Sequence, residues 1–174
     1  MHTIFYAPRG EQDPYLTSLR NEASAAGRAC IVNAIAIRDD YRILILRRAS
    51  SKSFLPNCWD LPGGHVEPSE PLQSALRREV REEIGVEISA VHALIAIWDW
   101  EKPDRSGFGA KSMRQFEFLV GLSGTKLFIN HADFSEHRWI DRSELFVFME
   151  NRRPDDTEML AVLRHAYDVK GRHP

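Results

Sequence analysis

Apolar residues come in short runs near the front of the chain and at helical spacing in its middle and at its end. ACIVNAIAI (29–37) and YRILILRR (41–48) are nearly continuous and rich in Ile, Leu and Val, which predicts two strands. Arg38-Asp39-Asp40-Tyr41 between them reads as a hairpin turn. VEISAVHALIAIWDW (86–100) predicts a long strand, RQFEFLVGL (114–122) another, Lys126 to Ile129 a short piece and Glu136 to Ile140 a last strand. Between the second and third strands, Leu72, Leu76, Val80 and Ile84 recur at i, i+4 as one helical stripe. Ser69, Glu70 and Pro71 each suit the start of that helix, and Gly85 suits its end. A short helix begins over Asp141 to Phe148. Pro154 to Val169 predicts a C-terminal helix with Met159, Leu160, Leu163 and Ala166 turned inward, followed by a frayed KGRHP tail. ASSKSFLPN (49–57) and residues 101–113 read as loops.

Residues 1–28 carry Pro8, Gly10 and Pro14, which interrupt any long element, and Tyr15 to Ala26 reads as a short helix held by Leu16 and Leu19. This segment is expected to be an extension, packed on the core or used in homodimerisation, ahead of one domain over 29–174. Strands around a central helix, with helices at the end, predict a single α/β (α+β) domain. Its mixed sheet should carry the central helix on one face and the C-terminal helix on the other.

Composition narrows the function. The length of 174 residues suits one domain with a full core, and 43% apolar and 28% charged residues are ordinary for a globular chain. A net charge of -2 gives no general attraction to polymeric nucleic acid or an anionic membrane. No apolar run approaches the roughly 20 residues of a membrane span, and MHTIFYAPRGEQDP lacks the pattern of a secretory signal. Cys30 and Cys58 form neither a disulfide framework nor a zinc spacing, so a reducing cytoplasm is the expected location.

The chemistry lies in GGHVEPSEPLQSALRREVREEIGV (63–86). Glu79, Glu82 and Glu83 fall within an arc of roughly 100° on one helix face. Acidic neighbours at that spacing repel, and a divalent cation with oxygen ligands removes the cost. A solvated acidic face is the plain alternative for such a run taken alone. Gly64, Glu70, Arg78, Glu79, Val80, Glu82, Glu83, Gly85 and Val86, however, fill every defined position of G-x5-E-x7-R-E-U-x-E-E-x-G-U, where U is a large aliphatic residue. In this the chain resembles the Nudix hydrolases.

The resemblance implies a Nudix-like α/β/α sandwich with a mixed central sheet. It also implies hydrolysis of the pyrophosphate linkage of a nucleoside diphosphate joined to another group, with Mg2+ or Mn2+ as cofactor and a small nucleotide as substrate. Glu79, Glu82, Glu83 and the Gly63 carbonyl would be metal ligands, with Gly63 and Gly64 letting backbone approach the site. Arg78 would orient a box carboxylate, Glu70 or Glu79, through a bidentate hydrogen bond. The general base would come from the box, with Glu79 first, or from the segment before Trp139, where Asp133 and Glu136 are candidates; Glu117 on a strand is another. Arg47, Arg48 and Lys52 are candidates for substrate phosphates, Arg47 foremost, against a plain surface role. Trp100, Phe54, Trp59 and Trp98 could line a base pocket, with core packing the simpler reading for Trp59 and Trp98. His65 could touch a phosphate or sit exposed in its turn. Two other functions compete. A nucleotide-sensing domain of the same fold usually loses box glutamates, all kept here, and isopentenyl diphosphate isomerase needs a cysteine motif that is absent around Cys30 and Cys58. The substrate expected by default is a nucleoside triphosphate.

Overall fold

Two sheets divide the strands of the computed structural model, which describes residues 2–103, 110–153 and 155–172. In chain order the elements are β1 (His2–Tyr6), α1 (Pro14–Ala25), β2 (Ala29–Ala36), β3 (Ile43–Arg48), β4 (Trp59–Asp60), β5 (Gly63–His65), α2 (Leu72–Ile84), β6 (Ile88–Pro103), β7 (Ala110–Leu122), β8 (Phe134–Ile140), a 3-10 helix (Arg142–Asn151) and α3 (Asp156–Arg172). The larger sheet has the order β1-β6-β7-β2-β5, and the smaller has β4-β3-β8. The larger sheet is mixed because β2 runs parallel to β7 while its other pairings are antiparallel. This is the expected α/β fold.

Strand alternation sends neighbouring residues to opposite faces. Ala34 and Ala36 join Leu76, Val80, Phe116 and Phe118 in a core against α2, with Leu16 and Leu19 of α1 in the same core. Ile35 and Ile37 join Ile43, Leu119, Leu163 and Ala166 in a second core under α3. The two helices therefore cover opposite faces.

Several local expectations are corrected. The 38–41 turn closes as expected, with Tyr41 N–H to Arg38 O and Arg38 N–H to Arg42 O at 3.0 Å each and an antiparallel bridge between Ile37 and Ile43, but beyond it β2 and β3 part into different sheets. Both strands are apolar on two faces and become interior strands of different sheets, where long-range partners satisfy them. Residues 101–103 and 110–113 are strand rather than loop, since Glu101 pairs with Ser112 and Lys102 with Lys111; the loop expected over 104–109 lies outside the described residues. Lys126 to Ile129 is not a strand. Its backbone caps α2 instead, with Phe128 N–H to Ile84 O and Asn130 N–H to Glu83 O at 2.9 Å each. These bonds satisfy carbonyls that a helix end leaves open. α3 continues through Lys170 and Gly171 to Arg172, where fraying was expected, and the end of the tail lies outside the described residues.

The N-terminal residues add an edge strand, as β1 pairs with β6. Pro14 opens α1 rather than breaking it, with Asp13 as the cap accepting from Tyr15 N–H at 2.9 Å and Leu16 N–H at 3.1 Å. Among the described residues no helix is long and apolar enough to cross a membrane.

Candidate active site

The site begins with β5, the edge strand beside β2. Gly63 has φ 153°, and a Cβ there would lie 2.2 Å from Val32 O and 2.7 Å from Asn33 Cα. A Cβ on Gly64 would lie 2.5 Å from the Glu79 carboxyl carbon. Glycine at 63 lets β5 lie close against β2, and glycine at 64 leaves room for the Glu79 carboxylate. Gly63 N–H then donates to Glu83 Oε2 at 2.8 Å, fixing the second carboxylate against the strand.

The start of α2 differs from the simple capped form. Pro71 precedes the helix without a side-chain cap, and Ser69 has φ 65°. Glu70 instead receives Arg78. The guanidinium donates to Glu70 from Nε and Nη2 at 2.9 Å each, to Glu79 Oε1 from Nη1 at 2.8 Å, and to His65 O from Nη2 at 2.9 Å. Glu70 and Glu79 thus share the arginine, with the bidentate pair going to Glu70, whose carboxyl Arg78 holds below its usual range.

These groups open into a cleft of about 330 Å³. Glu79, Glu83, Gly63 and Gly64 line one part, Arg48, Lys52 and Arg153 bring positive charge, and Phe54 and Trp100 bring aromatic surface. The two rings stack with centroids 6.0 Å apart and planes 13° apart, and Lys102 Nζ lies 4.6 Å from the Phe54 centroid. Asp133 also lines the cleft, paired with Lys52 and accepting from Asn130 Nδ2 at 2.9 Å. His65 lines it too, and burial lowers its pKa, as do Lys102 and Lys111.

Other predicted residues lie elsewhere. Arg47 is outside the cleft: its Nε donates to Asn57 O at 3.3 Å, Nη1 is 3.6 Å from Glu136, and the guanidinium sits over Trp59. Glu136 is correspondingly occupied by Arg138 at 2.8 Å and by Arg47, and these partners lower its pKa. Strand alternation turns Arg47 away and brings the next residue, Arg48, into the cleft. Glu82 is 57% exposed and touches only the edge of Arg78, at 3.4 Å. Trp59 and Trp98 pack in the core under α3. Glu117 is completely buried and does not line the cleft, so it is not placed to take a proton from water there. Among the lining residues that had drawn no expectation are Asn33, Asp60, Gln115 and Arg153. Asn33 and Gln115 were visible as polar interruptions of apolar strands, whereas Arg153 carried no local signal.

The donor set suits a hard divalent cation. Burial pushes Glu83 well above the usual carboxylate range, with Glu79 and Asp60 adding repulsion, and burial also raises Glu79 and Asp60. Carboxylates crowded against one another and short of counter-charge are relieved by a cation. Among the described residues no three His, Cys, Asp or Glu side chains converge as a ready cage; Glu79 and Glu83 are the two box carboxylates that line the cleft, and Glu82 is 57% exposed.

The family model of the NUDIX domain matches residues 28–164. Over 140 residues the chain is 26% identical to a nucleoside triphosphatase NudI of Salmonella agona, covering 78% of this chain and 92% of that one. The solution structure of the E. coli ORF135 protein aligns at TM-score 0.59 and 25% identity, over 86% of this chain and 96% of the other. A MutT protein from Methanosarcina mazei shares the fold at TM-score 0.60 and 22% identity, over 74% of this chain and 95% of the other. Matching the family model over most of its length, with a full box opening on a cleft, the chain belongs to the Nudix hydrolases and is a pyrophosphohydrolase.

Proposed function

We propose that the protein hydrolyses the pyrophosphate linkage of a nucleoside triphosphate, using Mg2+ or Mn2+. The observation that carries this reading is one cleft combining the box carboxylates Glu79 and Glu83, the cations Arg48, Lys52 and Arg153, and the stacked Phe54–Trp100 pair. A triphosphate ester of a nucleoside has a complement for each: a polyanion and a flat base. Similarity to a nucleoside triphosphatase supports the same choice.

Glu79 and Glu83, with Glu82 closing, would hold the cation. When bound, it neutralises phosphate charge and lowers the pKa of a coordinated water. The chain's own groups do the rest. Arg48, Lys52 and Arg153 already face Asp60, Asp133 and Asp155, so phosphate oxygens exchange for carboxylate partners rather than meeting bare charges. Arg78 holds Glu79 Oε1 at 2.8 Å and so fixes the carboxylate beside Gly64. Glu79, held in this way, is the general base of this reading. Asp133 is less suited, because Lys52 and Asn130 occupy it.

The test is turnover of ribo- and deoxynucleoside triphosphates, ADP-ribose, NADH, dinucleoside polyphosphates and coenzyme A with Mg2+ or Mn2+. Release of nucleoside monophosphate and pyrophosphate from a triphosphate is expected. Turnover confined to another class overturns the substrate, and tight binding without turnover on any compound favours a nucleotide sensor.

A further inference from the structure

We infer that Glu117 is a positioning residue for base recognition, fixing the orientation of the amides with which the cleft reads a nucleobase. The inference rests on the nucleotide reading above. Glu117 lies on β7 beside Asn33 of β2 and opposite Ala96 of β6, and is completely buried. An ionisable group inside a sheet is costly, and burial pushes this one up to about 7. What the carboxyl does there is order its neighbours. Its Oε1 accepts from Gln115 Nε2 at 2.6 Å and from Asn33 Nδ2 at 3.3 Å, while Oε2 is buried with no hydrogen-bond partner. A proton, when present, therefore belongs on Oε2, and Oε1 stays an acceptor in either state.

An acceptor at that point dictates both amide flips. Gln115 and Asn33 must turn their NH2 groups to Glu117. Gln115 Oε1 then faces away and accepts from Trp100 Nε1 at 3.0 Å. Trp100 in turn stacks on Phe54. Carboxyl, amides, indole and phenyl form one connected unit, and all but the carboxyl line the cleft. Glu79 and Glu83 lie outside this unit. Amides of fixed polarity beside aromatic faces recognise a heteroaromatic base by stacking and by donor–acceptor matching. An amide free to flip would present donor and acceptor interchangeably and lose that discrimination.

The test compares dATP, dCTP, dGTP and dTTP with an abasic deoxyribose triphosphate under Mg2+. The wild type is expected to prefer particular bases. Glu117→Gln keeps an oxygen acceptor and should retain that preference. Glu117→Met removes the acceptor, and the ratio of kcat/KM between best and worst base should fall by about tenfold, through KM. Its loss on the nucleotides should exceed its loss on the abasic compound by about the same factor. Gln115→Ala, in the buried lining of the cleft, should flatten the preference likewise, and decides the matter if circular dichroism shows Glu117→Met unfolded. Equal losses on nucleotides and abasic triphosphate, an unchanged base ratio, or a wild type indifferent to base overturns the inference alone. A wild type that turns over none of these compounds overturns the nucleotide reading as well.

Discussion

Two stripes of α2 lie side by side and do opposite work. Leu72, Leu76, Val80 and Ile84 are buried with Phe116 and Phe118 against the sheet. Burial of each such side chain stabilises by about 1.5–3 kcal/mol. Glu79 and Glu83, each one residue before Val80 and Ile84, emerge past the glycines of β5 and line the cleft. Burial raises both carboxyls, with Glu82 and Glu70 adding repulsion at Glu79 and with Glu79 and Asp60 adding it at Glu83, so this stripe favours folding less than its apolar neighbour does. β7 repeats the contrast, with Phe116 and Phe118 in the α2 core while Gln115 faces the cleft and Glu117 supports it. In both elements one face is wholly core, while the other turns polar where it meets the cleft.

The contrast breaks most visibly at Glu83. Glu83→Gln should lower Mg2+-dependent turnover by about 10³-fold, the loss of several kcal/mol of charge stabilisation. Its metal-free thermal midpoint should be unchanged or higher, because a repelled carboxylate is gone; a lower midpoint with full activity would assign Glu83 to the scaffold. Leu76→Ala should do the reverse, costing about 2–5 kcal/mol in denaturant unfolding with kcat per folded molecule retained. Gly64→Ala sharpens the boundary between the stripes. Its Cβ would displace the Glu79 carboxyl, and activity should fall by about 10²-fold with a modest change in stability.

The smallest effect lies far from the cleft, at Asp13. Burial raises this carboxyl, but the N–H groups of Arg9, Leu16 and Tyr15 and the Tyr6 hydroxyl outweigh it, so its pKa is lowered. A depressed carboxyl contributes stability that is complete above its unfolded value of about 4. That contribution is lost as pH falls through the folded value. Asp13→Ala should cost about 1 kcal/mol at neutral pH, and urea unfolding should show the gap to wild type closing below about pH 4.

The sequence made legible whatever depends on spacing along the chain. The helical stripe, Gly85 in its left-handed conformation with φ 66° and the clustered box carboxylates are local, because residues three and four apart meet on a helix. The partner of Arg78 was open between Glu70 and Glu79, and the folded chain uses both. Features that depend on pairing were less legible. Arg47 and Arg48 are indistinguishable in sequence, yet pairing of β3 with β4 and β8 decides which of them faces the cleft. The 38–41 turn was visible, but the distant partners that split β2 from β3 were not. Arg153 reaches the cleft because Asn151 ties the end of the 3-10 helix to Trp59, donating to Trp59 O at 2.8 Å and accepting from its N–H at 2.7 Å.

Glu79 and Glu83 are proposed here as the metal-dependent centre of a nucleoside triphosphate hydrolase. The most direct measurement is the rate of monophosphate and pyrophosphate release from nucleoside triphosphates by wild type and Glu79→Gln/Glu83→Gln, across a Mg2+ titration and in excess EDTA. Saturable Mg2+ activation in the wild type, loss of turnover in EDTA, and no Mg2+ activation in a fully folded double variant are expected. Mg2+-dependent release by the double variant at the wild-type rate would contradict that assignment.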